Sequence, residues 1–283
     1  MKASPFYLAL VLCWASISAG QQLKFSVLKP EIIRERLQSY KGNDRQREAS
    51  LRAIFQKAGC SGDHLVEQSV AMLKEPNLIC TLPGLSDSVV IVGAHYDHAE
   101  LGDGVADNWS GASLLASIYQ ILRSKPRQYT FVFVAFSGEE KGLIGSRYYV
   151  KSLTAAALTK IRAMICIDTL GLSTTEVWVK KSDHRLLSSF DAVAHALNLP
   201  LAGVNVDRVG ISDEESFSKQ KIPVLVVHSI TQSTLRVLHS PRDNYRVINF
   251  DNYYGSYQLL TGYLVFLDQT PAILSSGNNS SPQ

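Results

Sequence analysis

The chain has 283 residues, 46% of them hydrophobic and 19% charged. That composition excludes wholesale disorder and leaves room for one large α/β domain with a full core. The net charge of +3 and a pI near 8.6 are mild, and no basic run carries interleaved aromatics, so no nucleic-acid partner is expected.

Residues 1–20 read as a secretory signal: Lys2 supplies the positive start, Phe6 to Trp14 the apolar centre, and Ser18, Ala19 and Gly20 a cleavage site. The apolar centre is short for a bilayer span, so a secreted or periplasmic protein, free of the membrane after cleavage, is expected. Residues 21–45 read as an N-terminal helical segment, with a removable pro-segment left open. Pro30 opens a helical stretch, and the charged segment 31–58 predicts two amphipathic helices broken near Lys41-Gly42-Asn43, the second closed by Gly59.

The main domain is expected over 46–268. Asn77 to Leu82 reads as a strand ended by Pro83-Gly84. The unbroken apolar run after Ser88 predicts a strand buried on both faces and ending at His95. Ser110 reads as the N-cap of a helix with Leu114, Leu115, Ile118, Ile121 and Leu122 inward. Further strands are predicted over 129–136, 161–167, 175–179 and 221–228, and helices over 183–197 and 250–267. This alternation predicts an α/β fold with a mostly parallel central sheet sandwiched by helices. The tail, 269–283, is rich in Ser, Asn and Gly and reads as disordered. Cys60 and Cys80 flank a short polar excursion and read either as a disulfide or as two small buried residues, whereas Cys166 falls inside an apolar strand.

Acids and imidazoles collect where the buried strands end: His95 and Asp97, Glu139 and Glu140, and Asp168, with His98, Asp103 and Asp107 in the loop after the first. Strand ends of an α/β sheet share one rim, so these groups converge there. A divalent cation is the simple reason to gather carboxylates beside imidazoles, since it offsets their repulsion and desolvation. Taken singly, Asp107 also suits a helix start, Asp168 a turn cap, and His239 a surface loop. Of the remaining histidines, His98 and His228 are doubtful, and His64, His184 and His195 read as non-ligands.

HYD at 95–97, ADNWSG at 106–111, EEKGLIGS at 139–146, Asp168 and HSPRD at 239–243 together resemble, in order, the motifs of the M28 family of zinc aminopeptidases, over residues 45 to 268. The resemblance implies two zinc ions per chain bridged by Asp107, with His95 and Asp168 completing one and Glu140 and His239 the other. It further implies that Glu139 is the general base for a hydroxide held between the ions. The substrates would be peptides with a free N-terminus, and the protein a monomer. Asp97 and Asp243 would orient the rings of His95 and His239. Manganese or cobalt would also suit so oxygen-rich a site. The sequence departs from the family at Val209-Gly210-Ile211, where several members carry an aromatic or imidazole oxyanion helper, and at Glu214, which stands in a family histidine position. The alternatives are a one-zinc glutaminyl-peptide cyclase and a non-catalytic M28-like binding module. Asn108-Trp109-Ser110 matches a glycosylation sequon, but a glycan there would block the proposed metals.

Overall fold

The computed structural model describes residues 10–18, 21–40, 42–206 and 210–274. Its strands are β1 (Leu10–Ser18), β2 (Gln21–Leu28), β3 (Leu65–Gln68), β4 (Asn77–Leu82), β5 (Val89–His95), β6 (Thr130–Phe136), β7 (Ile161–Ile167), β8 (Thr175–Trp178), β9 (Leu201–Val204) and β10 (Val224–His228). Its α-helices are α1 (Pro30–Gln38), α2 (Asp44–Lys57), α3 (Ser110–Leu122), α4 (Ile144–Ser152), α5 (Ala155–Leu158), α6 (His184–Leu197), α7 (Glu214–Ser218) and α8 (Phe250–Gln269). Among the described residues no helix is long and apolar enough to cross a membrane.

Eight strands form one mixed sheet in the order β3-β4-β6-β5-β7-β10-β8-β9. Its centre, β6-β5-β7-β10, is parallel; the joins to β4 and β8 are antiparallel. Successive side chains point to opposite faces of a strand, and the central strands are apolar on both. Val90, Val92, Phe131, Phe133, Ile165 and Leu225 belong to the large core under α1, α2, α3, α6 and α8. Ile91, Val132, Val134, Met164, Cys166 and Val226 belong to a second core with Tyr149 and Val150 of α4 and Phe217 of α7. Removing one such buried side chain costs roughly 2–5 kcal/mol.

The structure corrects several expectations. The segment 21–45 is not wholly helical: residues 21–28 form β2, because Leu23, Phe25 and Val27 are buried while Lys24 between them is exposed, a period of two. The boundary at 45/46 falls inside α2. Residues 10–18 of the expected signal form β1, antiparallel to β2; residues 1–9, 19 and 20 lie outside the described residues. Ser110 is not an N-cap. It is the first residue of α3, and its hydroxyl donates to the Ala106 carbonyl at 2.7 Å and accepts the Leu170 N–H at 2.8 Å. The tail is ordered to Leu274, which packs on the large core, and residues 275–283 lie outside the described residues. Cys60 and Cys80 form a disulfide that ties the end of α2 to β4.

Candidate metal centre

β5 ends at His95, β6 delivers the turn carrying Glu139 and Glu140, and β7 ends just before Asp168. Parallel register sets these ends side by side, with His95 opposite Phe136 and Gly93 opposite Cys166. The loop from Tyr96 to Trp109 then returns Asp107 to the same rim, and the segment after β10 supplies His239.

The donor atoms form two groups that share one residue. His95, Asp107 and Asp168 make the first, and Asp107, Glu140 and His239 the second; within each group the donors lie within 4.8 Å of one another. His95 Nε2 is 3.2 Å from Asp107 Oδ1 and 3.5 Å from Asp168 Oδ1. His239 Nε2 is 3.3 Å from Asp107 Oδ2 and 3.0 Å from Glu140 Oε2. The two oxygens of Asp107 thus face different groups. Zinc bonds of about 2.0–2.1 Å to nitrogen and oxygen in a tetrahedron place ligand atoms about 3.3 Å apart, and catalytic zinc has three protein ligands with a fourth position open. In each group the histidine lies at such a spacing from two carboxylates, and all three donors fall within 4.8 Å. Among the described residues Glu140 Oε1 is buried without a hydrogen-bond partner, which suits a cation ligand. The residues therefore fit two zinc-like ions.

Charge tells the same story. Burial disfavours the charged imidazole of His95, but Glu139, Asp107, Asp168 and Asp97 together hold its pKa well above the ordinary value. Hydrogen bonds to Asp107 and Glu140 raise His239 to about 10. Burial opposes ionisation of Asp107, yet His239 and His95 hold its carboxyl below the usual range. Two imidazolium protons thus stand where two cations would balance the acids. Glu139 borders the adjoining cavity with Asp107 and Asp168. Burial, opposed by His95 and reinforced by Asp213, Asp168 and Asp107, pushes it up to about 10.

Of the two supporting acids, Asp97 stays beside the His95 ring and Asp243 turns elsewhere. Asp97 approaches His95 Nδ1 to 3.6 Å with its carboxylate, but that ring nitrogen hydrogen-bonds the Asp97 backbone carbonyl at 3.2 Å. The carboxylate accepts the N–H groups of Glu139 at 3.1 Å and Glu140 at 3.2 Å, so one acid fixes the Glu-Glu turn. Asp243 does not reach the His239 ring as expected. Its carboxylate accepts the N–H groups of Ala106 and Asp107, because the turn from Ser240 to Asp243 aims it at the loop. His98 lies 3.1 Å from Asp44 and belongs to neither group.

Two positioning residues went unread in the sequence. Arg47, fully buried, donates from Nε to the Tyr96 carbonyl and from its terminal nitrogens to Asp103 and Gly104 carbonyls at 2.9 Å. Asn108, also fully buried, donates to the Ile167 carbonyl at 2.8 Å and accepts from Gly111 at 2.9 Å and Thr169 at 3.2 Å. It clasps both sides of Asp168, across a cis peptide after Asp107, and has no room for a glycan. In the sequence it stands inside the ADNWSG motif and the sequon, neither of which reveals this bonding.

Residues 77–261 match the model of peptidase family M28. The chain belongs to this family. Leupeptin-inactivating enzyme 1 of Streptomyces exfoliatus is 33% identical over 152 residues, 52% of this chain and 34% of that protein; the chain thus spans about a third of its relative's length. The zinc aminopeptidase BSAP from Bacillus subtilis superposes with a TM-score of 0.61 at 25% identity, over 67% of this chain and 49% of that one. A glutaminyl cyclase from an Acidobacteriales bacterium superposes with a TM-score of 0.67 at 20% identity, over 85% of this chain and 93% of that one, a likeness of fold.

Proposed function

We propose that this M28 chain is a secreted aminopeptidase that holds two zinc ions and removes N-terminal residues from peptides. The observation that carries the reading is Asp107, one oxygen turned to His95 and the other to His239. His95 and Asp168 would hold one ion and Glu140 and His239 the other. When bound, such a pair polarises the scissile carbonyl and makes water acidic enough to attack at neutral pH.

The chain's own groups supply the rest. Asp97 holds the backbone of the Glu139-Glu140 turn, so Glu140 faces His239 while Glu139 faces the cavity. A cationic neighbourhood brings the Glu139 carboxyl down towards ionisation. It then takes the proton of the attacking water on a carboxylate oxygen and returns it to the leaving nitrogen. The Cys60–Cys80 disulfide supports an oxidising, extracytoplasmic compartment.

The cyclase-like fold gives the second reading. Metal content per chain, with turnover of aminoacyl reporters before and after chelation, tests the proposal. Two zincs and chelator-sensitive release of N-terminal residues are expected; one tightly held zinc with cyclisation of N-terminal glutamine overturns it.

A further inference from the structure

The candidate metal centre is continuous with a cavity of about 260 Å³ that borders Asp107, Glu139 and Asp168. Its other walls include Trp178 from the end of β8, Val226 and His228 from β10, and Ile230, Leu235 and Leu238 from the segment leading to His239. Val226, Ile230, Leu235 and Leu238 are aliphatic, while Thr169 and Ser212 add hydroxyls to the lining. Among the walls His228 is only 2% exposed.

Its hydrogen bonding fixes what it offers. His228 Nδ1 accepts the Ile230 N–H at 3.0 Å, so the proton of the neutral ring sits on Nε2. The Glu176 carboxylate, opposite His228 in the strand register, approaches Nδ1 to 3.8 Å. Nε2 has no hydrogen-bond partner among the described residues. Burial keeps the ring neutral, moving its pKa down to about 4. His228 therefore offers the cavity a buried, unpartnered N–H donor with Val226, Ile230, Leu235 and Leu238 among the surrounding walls.

A leucine-like side chain would fill such a cavity and leave that donor unmet, which is unfavourable. A carboxylate is poorly served too, since a single neutral donor does not offset its desolvation. A carboxamide is uncharged, has nearly the shape of leucine when it is asparagine, and brings a carbonyl oxygen. We propose that His228 is a specificity-determining residue whose Nε2–H donates to the side-chain carbonyl of the substrate's first residue, selecting asparagine-like over isosteric aliphatic side chains. This rests on the reading of the site as an aminopeptidase.

Asparagine hydroxamate and leucine hydroxamate, near-isosteric and metal-seeking, serve as probes of the zinc-loaded protein by calorimetry, which needs no turnover. The wild type is expected to bind the asparagine compound about tenfold more tightly, the effect of one hydrogen bond. His228→Phe should reverse the order, and His228→Gln, which retains an N–H donor, should restore part of it. Leucine preferred by the wild type, a ratio unmoved in His228→Phe, or equal loss for both compounds overturns the inference, and the wild-type ratio alone decides if the variants do not fold. Absence of peptide hydrolysis with the ratio intact would instead overturn the aminopeptidase reading.

Discussion

Asp243 holds the backbone of Asp107: its buried carboxylate accepts the N–H of Ala106 at 2.7 Å and of Asp107 itself at 3.0 Å. The residue whose two oxygens serve both donor groups is thus set by an acid 136 positions later in the chain. Asp243→Ala leaves two buried N–H groups unpaired and lets the loop shift. Zinc affinity should fall roughly ten- to a hundredfold, the usual effect of losing an outer support, with less loss in Asp243→Asn. Chelator competition measures both.

Glu139 is a member of neither donor group, so its removal should separate chemistry from metal binding. Glu139→Gln is expected to retain the full metal content while turnover falls by about 10²–10⁴-fold. Metal analysis beside steady-state kinetics checks it; wild-type turnover would remove Glu139 from its role.

Metal binding should release protons. His239 stays protonated to about 10 and Glu139 to about 10 in the metal-free chain, and zinc takes only the neutral imidazole. Affinity should therefore climb as pH rises from 6 to 8, by about tenfold per unit for each imidazole proton displaced. Calorimetry in two buffers of different ionisation enthalpy counts those protons. The sign for stability follows: with both pKa values raised, the folded metal-free chain binds more protons than the unfolded one, so its stability falls as pH climbs towards 10. Bound zinc should flatten that slope in thermal melts.

Arg47→Met keeps the bulk of the side chain and deprives the Tyr96, Asp103 and Gly104 carbonyls of their donor. With a buried orphan costing roughly 1–3 kcal/mol, the loss should be about 3 kcal/mol or more, seen as a lower denaturation midpoint. Weaker metal retention should accompany it, because these carbonyls flank the ligand loop.

The central strands were legible because burial on both faces leaves no polar position in them, as in Val89 to Ala94. The ligands were legible because acids and imidazoles directly after such runs have few other uses. β3 and β9 were not, since LVEQ and LAGV are only four residues each and show no period. β2 was obscured by Lys24 and Ser26, which soften its alternation next to the stronger helix signal at Pro30. Arg47 sits among Arg45, Gln46 and Glu48, a run that reads as a solvated face until the helix is docked. Asp243 misled through its spacing: four residues from His239 suggests a ring contact, and only the turn at Ser240 redirects it.

The burial of β2 has a bearing on maturation. Phe25 packs so closely under α8 that a Cβ on Gly262 would lie 2.8 Å from its ring, and the Leu28 N–H is donated to the Tyr257 hydroxyl at 3.0 Å. A processing protease that trims past Gln22 would strip away the residues of β2 on which the last helix packs. Truncation beyond Leu23 is therefore expected to loosen the last helix from the core.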